Sequence, residues 1–325
     1  MSNLATIYGG SGFVGRYIAR RLAKAGWRVR VAVRRPNEAM FVRTYGTVGQ
    51  VEPVLCNIRN DASVAAAMDG ANAVINCVGT FDKGGKNNFD AVQHLGAERI
   101  ARLAAAAGVA RMVHISAIGA DAQGPTLYAK SKGLGEEGVR EHMPGAVILR
   151  PSVIFGPEDE FFNRFAGMTR TSPFIPLVGA SAKFQPVYVD DVAAAAEKGV
   201  LGSAAGVYEL GGPEIATFRS LIEDMLKIVR RRRLVLGLPL WVGRIMGWGF
   251  DLLGTLSGGL IKGPITLDQA KSLAVDNIVS DGAKTLADLG IEATAKEAIL
   301  DEYLWRFRPS GQYSDIKESA KNLKA

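Results

Sequence analysis

The chain has 325 residues, 48% hydrophobic and 22% charged, which is enough apolar mass for a full core and too little polarity for long disorder. Its 39 Lys and Arg against 32 Asp and Glu leave a net charge of +7, so an anionic partner is expected. Nucleic acid, anionic lipid, an acidic subunit and a phosphorylated ligand all fit that sign. Cys56 and Cys77 fall where strands are expected and read as buried reduced thiols. His94, His114 and His142 share no ligand spacing with each other or with them, so no metal site is expected. The first strand starts within a few residues of Met1, with no secretory or transit pattern before it, so a bacterial protein facing the cytoplasm is expected, the alternative being an already processed organellar protein.

In chain order, Leu4–Tyr8 is a short apolar run, followed by Gly9, Gly12 and Gly15 at three-residue spacing. A helical pattern through Val14, Ile18 and Leu22 ends at Gly26, and Arg28–Val33 alternates like a strand. Strand, glycine triad, helix and strand in this order predict a dinucleotide site. Gly9 permits the tight turn, Gly12 lets backbone approach a pyrophosphate, and Gly15 lets the helix pack closely. Phe13 and Val14 open the helix whose amides would hold the phosphates. Where an NAD-binding fold places an acid, after the second strand, stand Arg34 and Arg35. Guanidinium groups pair with a 2′-phosphate, so NADPH is favoured, the alternative being two surface arginines of a basic protein.

Further strands are expected at Val51–Leu55, 73–78, 110–115 and 146–149, with helices at 63–68, 90–107 and 130–141 between them. The fold class is therefore α/β, a doubly wound parallel Rossmann sheet, with a smaller mixed, mainly helical C-terminal region. Asn57 and Ile58 would lie by the adenine, and Cys77, Val78 and Gly79 by the middle of the cofactor. The expected division is a nucleotide domain at 1–150, completion of its sheet and cleft at 151–229, and a C-terminal subdomain at 230–325.

Tyr128 and Lys132 in YAKSK lie four apart at a helix start, hence on one face. Such a pair suits hydride chemistry, with the phenol moving a proton while the ammonium lowers its pKa and holds the nicotinamide ribose. Together with the glycine triad, LRPSVIFGPED at 149–159 and VYVDDVAAA at 187–195, the pair resembles the extended and atypical short-chain dehydrogenase/reductase superfamily over about residues 3 to 225. That resemblance adds Ser116, Pro151 and Ile154 to the cofactor-contacting residues. It also exposes a departure: the family's active serine follows the fifth strand, and in HISAIGA only Ser116 is available, with Ala117, Ile118 and Gly119 beyond it. If the serine belongs later, an oxyanion-stabilising donor is missing and Tyr128 and Lys132 clamp the ribose without turnover.

Phe218 to Val229 reads as an amphipathic helix, after which come Arg230, Arg231, Arg232 and Arg233 and a Trp- and Gly-rich apolar stretch. Arg244, Asp251 and Pro239 interrupt that stretch, so a membrane-spanning helix is disfavoured. A surface-lying helix is predicted instead, with Arg244, Gly247, Asp251, Thr255 and Gly258 on a polar or small stripe and Val242, Ile245, Met246, Leu253, Leu256 and Leu260 opposite. Trp241 and Trp248 would sit at lipid headgroups, and the four arginines would be drawn to an anionic lipid surface. The alternative is a subdomain helix covering the cofactor cleft.

The order GGSGFVGR, YAKSK, LRPSVIFGPEDEFFNRF, the Trp/Gly-rich segment, GPITLDQAKSL and YLWRFRPSGQY is similar to the nucleotide-binding accessory subunits of respiratory complex I. The resemblance implies a non-catalytic subunit with a structural NADPH on the peripheral arm, near the membrane and the quinone site. Its partners would be other complex I subunits, on the cytoplasmic face of a bacterial inner membrane. Two cysteines cannot ligate an iron–sulfur cluster, so electrons would not pass through this chain. The competing reading is a free-standing NADP-dependent reductase or epimerase acting on a nucleotide sugar or isoprenoid, with Tyr128 as acid/base. The arginine run has no reader helix or aromatic-interleaved sheet, so nucleic acid is not an expected partner.

Overall fold

A computed structural model describes residues 3–256 and 266–313, with Ile316 and Ser319 beyond them. The elements are β1 (Leu4–Tyr8), α1 (Phe13–Lys24), β2 (Arg28–Val33), β3 (Val51–Leu55), α2 (Asp61–Met68), β4 (Ala73–Asn76), α3 (Leu95–Ala106), β5 (Arg111–Ile115), α4 (Leu127–His142) and β6 (Val147–Pro151). They continue as β7 (Ile154–Phe155), α5 (Phe162–Met168), β8 (Phe174–Val178), β9 (Lys183–Phe184), β10 (Val187–Tyr188), α6 (Val189–Leu201), β11 (Gly206–Leu210), β12 (Ala216–Thr217) and α7 (Phe218–Ile228). The remainder are β13 (Leu234–Leu238), α8 (Leu240–Leu256), α9 (Leu267–Ser272) and α10 (Lys296–Leu304).

Two compact units form. The first holds Met1–Ser152, Val189–Gly211 and Val279–Ala293; the second holds Val153–Tyr188, Gly212–Ile278 and Thr294–Ala325. The chain thus crosses between them several times, and the continuous division at 150 and 229 does not describe them. The physical reason is strand pairing: β11 adds in parallel to β6, which draws residues 189–211 back into the first unit.

The first unit is a seven-stranded parallel sheet in the order β11-β6-β5-β4-β1-β2-β3. β1 and β4 are buried along their whole length, as strands covered on both faces must be, which is why they read as unbroken apolar runs. α1 buries Ile18 and Leu22, ends over Gly26 at φ +82°, and is tied to α6 by a bidentate pair between Arg21 and Asp190, with Glu197 at 3.0 Å. β4 stops two residues before its expected end, because Val78 N–H turns onto the Asn76 side chain. The helix expected at 90–107 begins as a π turn, Asp90–His94, before regular α3. The widened turn presents Gln93 O to α4 at Gly135, where a Cβ would lie 2.2 Å from that oxygen.

The second unit gathers Phe155, Phe162, Phe218, Leu221, Leu300 and Leu304 into one core, with Phe161 meeting four neighbouring rings. Here the two most distinctive sequence stretches lock together. In PEDEFFNRF, Asp159 accepts Gly156 N–H and Asn163 N–H, and from the C-terminal stretch the Tyr303 hydroxyl donates to the same carboxylate. Arg306 reaches Asn163 Oδ1 at 2.7 Å, and Arg170 answers by donating to Arg306 O at 2.8 Å.

The arginine run serves the same clasp. Arg231 Nε donates to Phe307 O at 2.8 Å, and Arg233 donates from Nε and Nη2 to Thr169 O. Arg230 has a left-handed backbone, φ 54°, in the turn that ends α7. Two of the four arginines expected to face lipid therefore donate to backbone carbonyls, whereas Arg232 is exposed.

Helix α8 also differs from its predicted orientation. Gly243 and Gly247 are its buried face: a Cβ at Gly243 would lie 2.3 Å from Val178, and one at Gly247 2.5 Å from Leu267 N. Asp251 accepts Leu267 N–H at 3.2 Å. The small and acidic stripe thus faces protein, because only glycine lets the helix approach this closely. Trp241, Ile245 and Trp248 point to solvent, each more than 60% exposed, while Val242 and Met246 are half-buried. Gly258, Leu260 and the start of GPITLDQAKSL lie outside the described residues, as do the side chains of Leu253, Thr255 and Leu256. Among the described residues, no helix is long and apolar enough to cross a membrane.

Candidate functional site

The C-terminal ends of β1 to β6 lie along one edge of the first unit, and the expected cofactor residues follow each strand there. The order of strands reverses between β1 and β4, where open α/β sheets take their ligands. Gly9 turns at φ +75°, beyond the comfortable range of other residues. A Cβ on Gly15 would stand 2.5 Å from Gly9 O and 2.6 Å from Gly10 Cα, so the helix and loop touch through bare backbone. α1 starts at Phe13 after Gly12 with no side-chain cap and no acid in its first turn, so its N–H groups remain oriented for an anion. This cradle fits a pyrophosphate.

Arg34 and Arg35 follow β2 and are exposed, Arg35 pairing with Glu38 at 3.0 Å. Arg16 was not singled out by sequence. Its guanidinium donates to Ser11 O and Gly12 O at 3.1 and 3.3 Å and lies 5.0 Å over the Phe41 ring, adding a fixed cation beside the glycine loop. Its only sequence signal is its place immediately after Gly15.

Asn57 N–H donates to Ser63 Oγ, and Ile58 rests half-buried near Gly96, so the turn after β3 is held firmly. Cys77 N–H donates to Tyr8 O, and Val78 N–H to Asn76 Oδ1. Asn76 in turn meets His114 Nδ1 at 3.1 Å. Burial presses His114 down to a pKa of about 3, so it is neutral, and its Nε2 has no hydrogen-bond partner among the described residues. Gln93, another residue with no sequence signal, accepts from the Ser131 hydroxyl at 2.8 Å and donates to Thr80 O at 2.6 Å. It therefore couples the 77–80 loop to the helix that carries Tyr128. Pro151 ends β6, and its carbonyl accepts Ile118 N–H. Ile154 belongs to the second unit, paired with Val187.

The remaining site residues sit in two settings, a buried ionic network at Ser116 and an aromatic cluster at Tyr128. Ser116 is buried, and its hydroxyl donates to Glu136 Oε1 at 2.6 Å. Glu136, itself fully buried, accepts from Arg150 Nε and Nη2 at 2.8 and 2.7 Å and from Arg140 Nη1 at 3.1 Å. Arg150 continues to Glu209 at 3.5 Å. Ser116 is thus one donor in a buried ionic network. Nothing after it replaces it: Ala117, Ile118 and Gly119 carry no hydroxyl.

Tyr128 lies in the first turn of α4, which starts three residues earlier than expected because Thr126 caps it by accepting Ala129 N–H. The Phe81 ring stacks on Tyr128 at 5.6 Å and 12°, and Phe89 meets it edge-on at 6.0 Å. Burial pushes the phenol up to about 12, the reverse of the depression that activates such a group. Lys132 donates from Nζ to Ile115 O at 3.0 Å, and burial lowers it to about 8, partly offset by Glu136 and Cys77.

A pH dependence follows for the coenzyme-free protein. Lys132 has a lower pKa folded than unfolded, so the unfolded chain holds more protons between about 8 and 10.5. Its contribution to stability is complete above that window and lost as pH falls through 8, with a slope approaching about 1.4 kcal/mol per pH unit. Denaturant titrations of wild type and Lys132→Met should show this slope in their difference, and parallel curves would refute it.

Comparison with known proteins agrees with this geometry. Residues 9–154 match a family model described as NAD(P)H-binding. The chain is similar to an NAD+-bound Bordetella bronchiseptica enzyme, WbmH, at TM-score 0.69 and 17% identity, covering 96% of this chain and 100% of that one; at this identity the likeness shows the fold alone. It is 30% identical to the mitochondrial NADH dehydrogenase (ubiquinone) 1 alpha subcomplex subunit 9 of Mus musculus, over 99% of this chain and 85% of that one. With the Arabidopsis thaliana protein of the same name the identity is 33%, over 95% of this chain and 79% of the other. On similarity of that extent, the chain belongs to the family of NADH dehydrogenase (ubiquinone) 1 alpha subcomplex subunit 9.

Proposed function

We propose that this protein is a non-catalytic accessory subunit of a membrane-bound NADH:quinone oxidoreductase, complex I, and holds NADPH as a permanent structural coenzyme. Family membership over almost the whole chain supports assembly with other complex I subunits on the peripheral arm near the quinone site. The observation that carries the non-catalytic part is the Ser116 hydroxyl, committed to the buried Glu136 carboxylate.

NADPH is favoured over NADH because Arg34 and Arg35 stand where an acid would bond a ribose 2′-hydroxyl, with Arg16 fixed nearby by Phe41. The coenzyme would lie on the Gly9–Gly15 loop, past Asn57 and Ile58 at the adenine end and past Cys77–Gly79 at its middle, with Tyr128 and Lys132 toward the nicotinamide ribose. Bound NADPH carries hydride chemistry wherever a substrate and proton donor are aligned with it; here its role is to stabilise the native state by binding only that state. An anionic membrane surface is a further partner, on the cytoplasmic face of a bacterial inner membrane. The exposed Trp241, Ile245 and Trp248 and the exposed Arg232 support it.

Solubilised native membranes give the test. The expected result is this polypeptide at fixed stoichiometry with the other subunits of the complex, releasing one NADPH per copy on denaturation. Recovery only as a free soluble protein would reject the assignment.

A further inference from the structure

The geometry points to a headgroup pocket for an anionic phospholipid, centred on Arg219 and built from the second unit alone. It rests on the reading that α8 meets a bilayer and specifies one lipid site within that surface. A cavity of about 570 Å³ lies between the turn after β8, the first turn of α7 and the end of β13. That volume is within the range of small-molecule sites. Its polar side is Ser181, Thr217 and Arg219, and its apolar side is Leu238, Pro239 and Leu240.

Arg219 is placed by its surroundings. Nη1 donates to Val235 O at 3.2 Å, and the guanidinium occupies the space beside Gly237, where a Cβ would stand 3.0 Å from Nη2. Glu223, one helical turn on, is 3.6 Å away, and both side chains are nearly half exposed, so this pair is weak and leaves the cation able to meet a second anion. The first N–H groups of α7 are already used: Phe218 and Arg219 donate to Ala182 O and Ala180 O, and Ser220 to the Thr217 hydroxyl. The recognition element is therefore the guanidinium rather than the helix end.

The walls decide between a free phosphate and a lipid. Leu238 and Leu240 run on along the chain into a solvent-facing apolar surface: Leu234 and Leu236 on β13, Phe174 opposite Leu234 on β8, and Trp241 on α8. A soluble phosphate gains nothing from these groups, whereas an amphiphile places its phosphate on Arg219 and its acyl chains along them. The net charge of +7 favours an anionic headgroup over a zwitterionic one.

Flotation of the full-length protein with vesicles of phosphatidylcholine alone, or with about one-fifth phosphatidylglycerol, tests the site. Wild type should bind the anionic vesicles more tightly, and Arg219→Gln should lose about tenfold of that affinity while keeping the neutral-vesicle level. Gly237→Val, which fills the cavity without changing charge, should lose the same preference, and Arg28→Gln, at an exposed arginine of the first unit, should change it less than about twofold. Millimolar glycerol 3-phosphate should not displace the protein. Displacement would mean a soluble-phosphate site and overturn the lipid assignment. If Arg219→Gln binds as wild type while a Trp241→Ala, Trp248→Ala double variant loses both vesicle types, the pocket is wrong and the membrane-facing helix stands. Wild-type protein that ignores both vesicle types overturns both.

Discussion

Valine in place of Gly15 leaves the protein without coenzyme and markedly less stable. The added Cβ would stand 2.5 Å from Gly9 O and 2.6 Å from Gly10 Cα, and neither atom belongs to a side chain that can swing aside. Either α1 moves off the sheet or the 9–12 turn opens, and both changes remove the N–H groups from the pyrophosphate position. The overpacking alone costs about 1–3 kcal/mol. Losing a ligand held at about a thousand times its Kd removes roughly 4 kcal/mol more. Nucleotide released on denaturation, measured per polypeptide, should be near one for wild type and near zero for the variant. The wild-type melting temperature should rise with added NADPH, and the variant's should not. Full coenzyme retention by Gly15→Val would show that the glycine loop is not the binding element.

The second large effect belongs to Glu136. Its carboxylate has no solvent exposure and receives hydrogen bonds from Ser116, Arg140 and Arg150. Alanine there leaves the Arg150 guanidinium, among the described residues, with only the 3.5 Å contact to Glu209. Removing one side of a buried ion pair costs about 3–5 kcal/mol. Ser116→Ala removes a single hydrogen bond and should cost about 1 kcal/mol, although it deletes the residue a reductase would need most. Urea denaturation of the two variants gives the comparison. A larger loss for Ser116→Ala than for Glu136→Ala would contradict the network described here.

Much of the first unit was legible because its signals are local. β1 and β2 have the limits their apolar runs predict, and the glycine spacing marks the cradle directly. What sequence could not supply were partners brought together by folding. Ser116 stands in the sequence as the one serine after the fifth strand, and only the fold brings Glu136, twenty residues on in another element, against its hydroxyl. Gln93 and Asn76 are ordinary polar residues in the sequence, and only the fold shows them fixing the 77–80 loop.

The second unit misled in an instructive way. A helical projection of residues 240–256 ranks positions by hydrophobicity, whereas Gly243 and Gly247 are buried because they lack side chains, against Val178 and Leu267. The apolar and aromatic positions 241, 245 and 248 are left facing outward. Arg231 and Arg233 looked like surface charge but are tethers to Phe307 O and Thr169 O. The PEDEFFNRF and YLWRFRPSGQY stretches, which carried the family resemblance, meet through the Asp159–Tyr303 and Asn163–Arg306 contacts.

Whether the dinucleotide is a fixed brace or a reagent is decided most directly by exchange and turnover on the purified polypeptide. With isotopically labelled NADPH outside and ordinary NADPH bound, label should enter no faster than the protein unfolds, since a permanently held coenzyme leaves only when the fold opens. Ketone or aldehyde substrates should leave the bound nucleotide reduced. Rapid exchange, with repeated carbonyl reduction that Tyr128→Phe abolishes, would contradict a structural coenzyme.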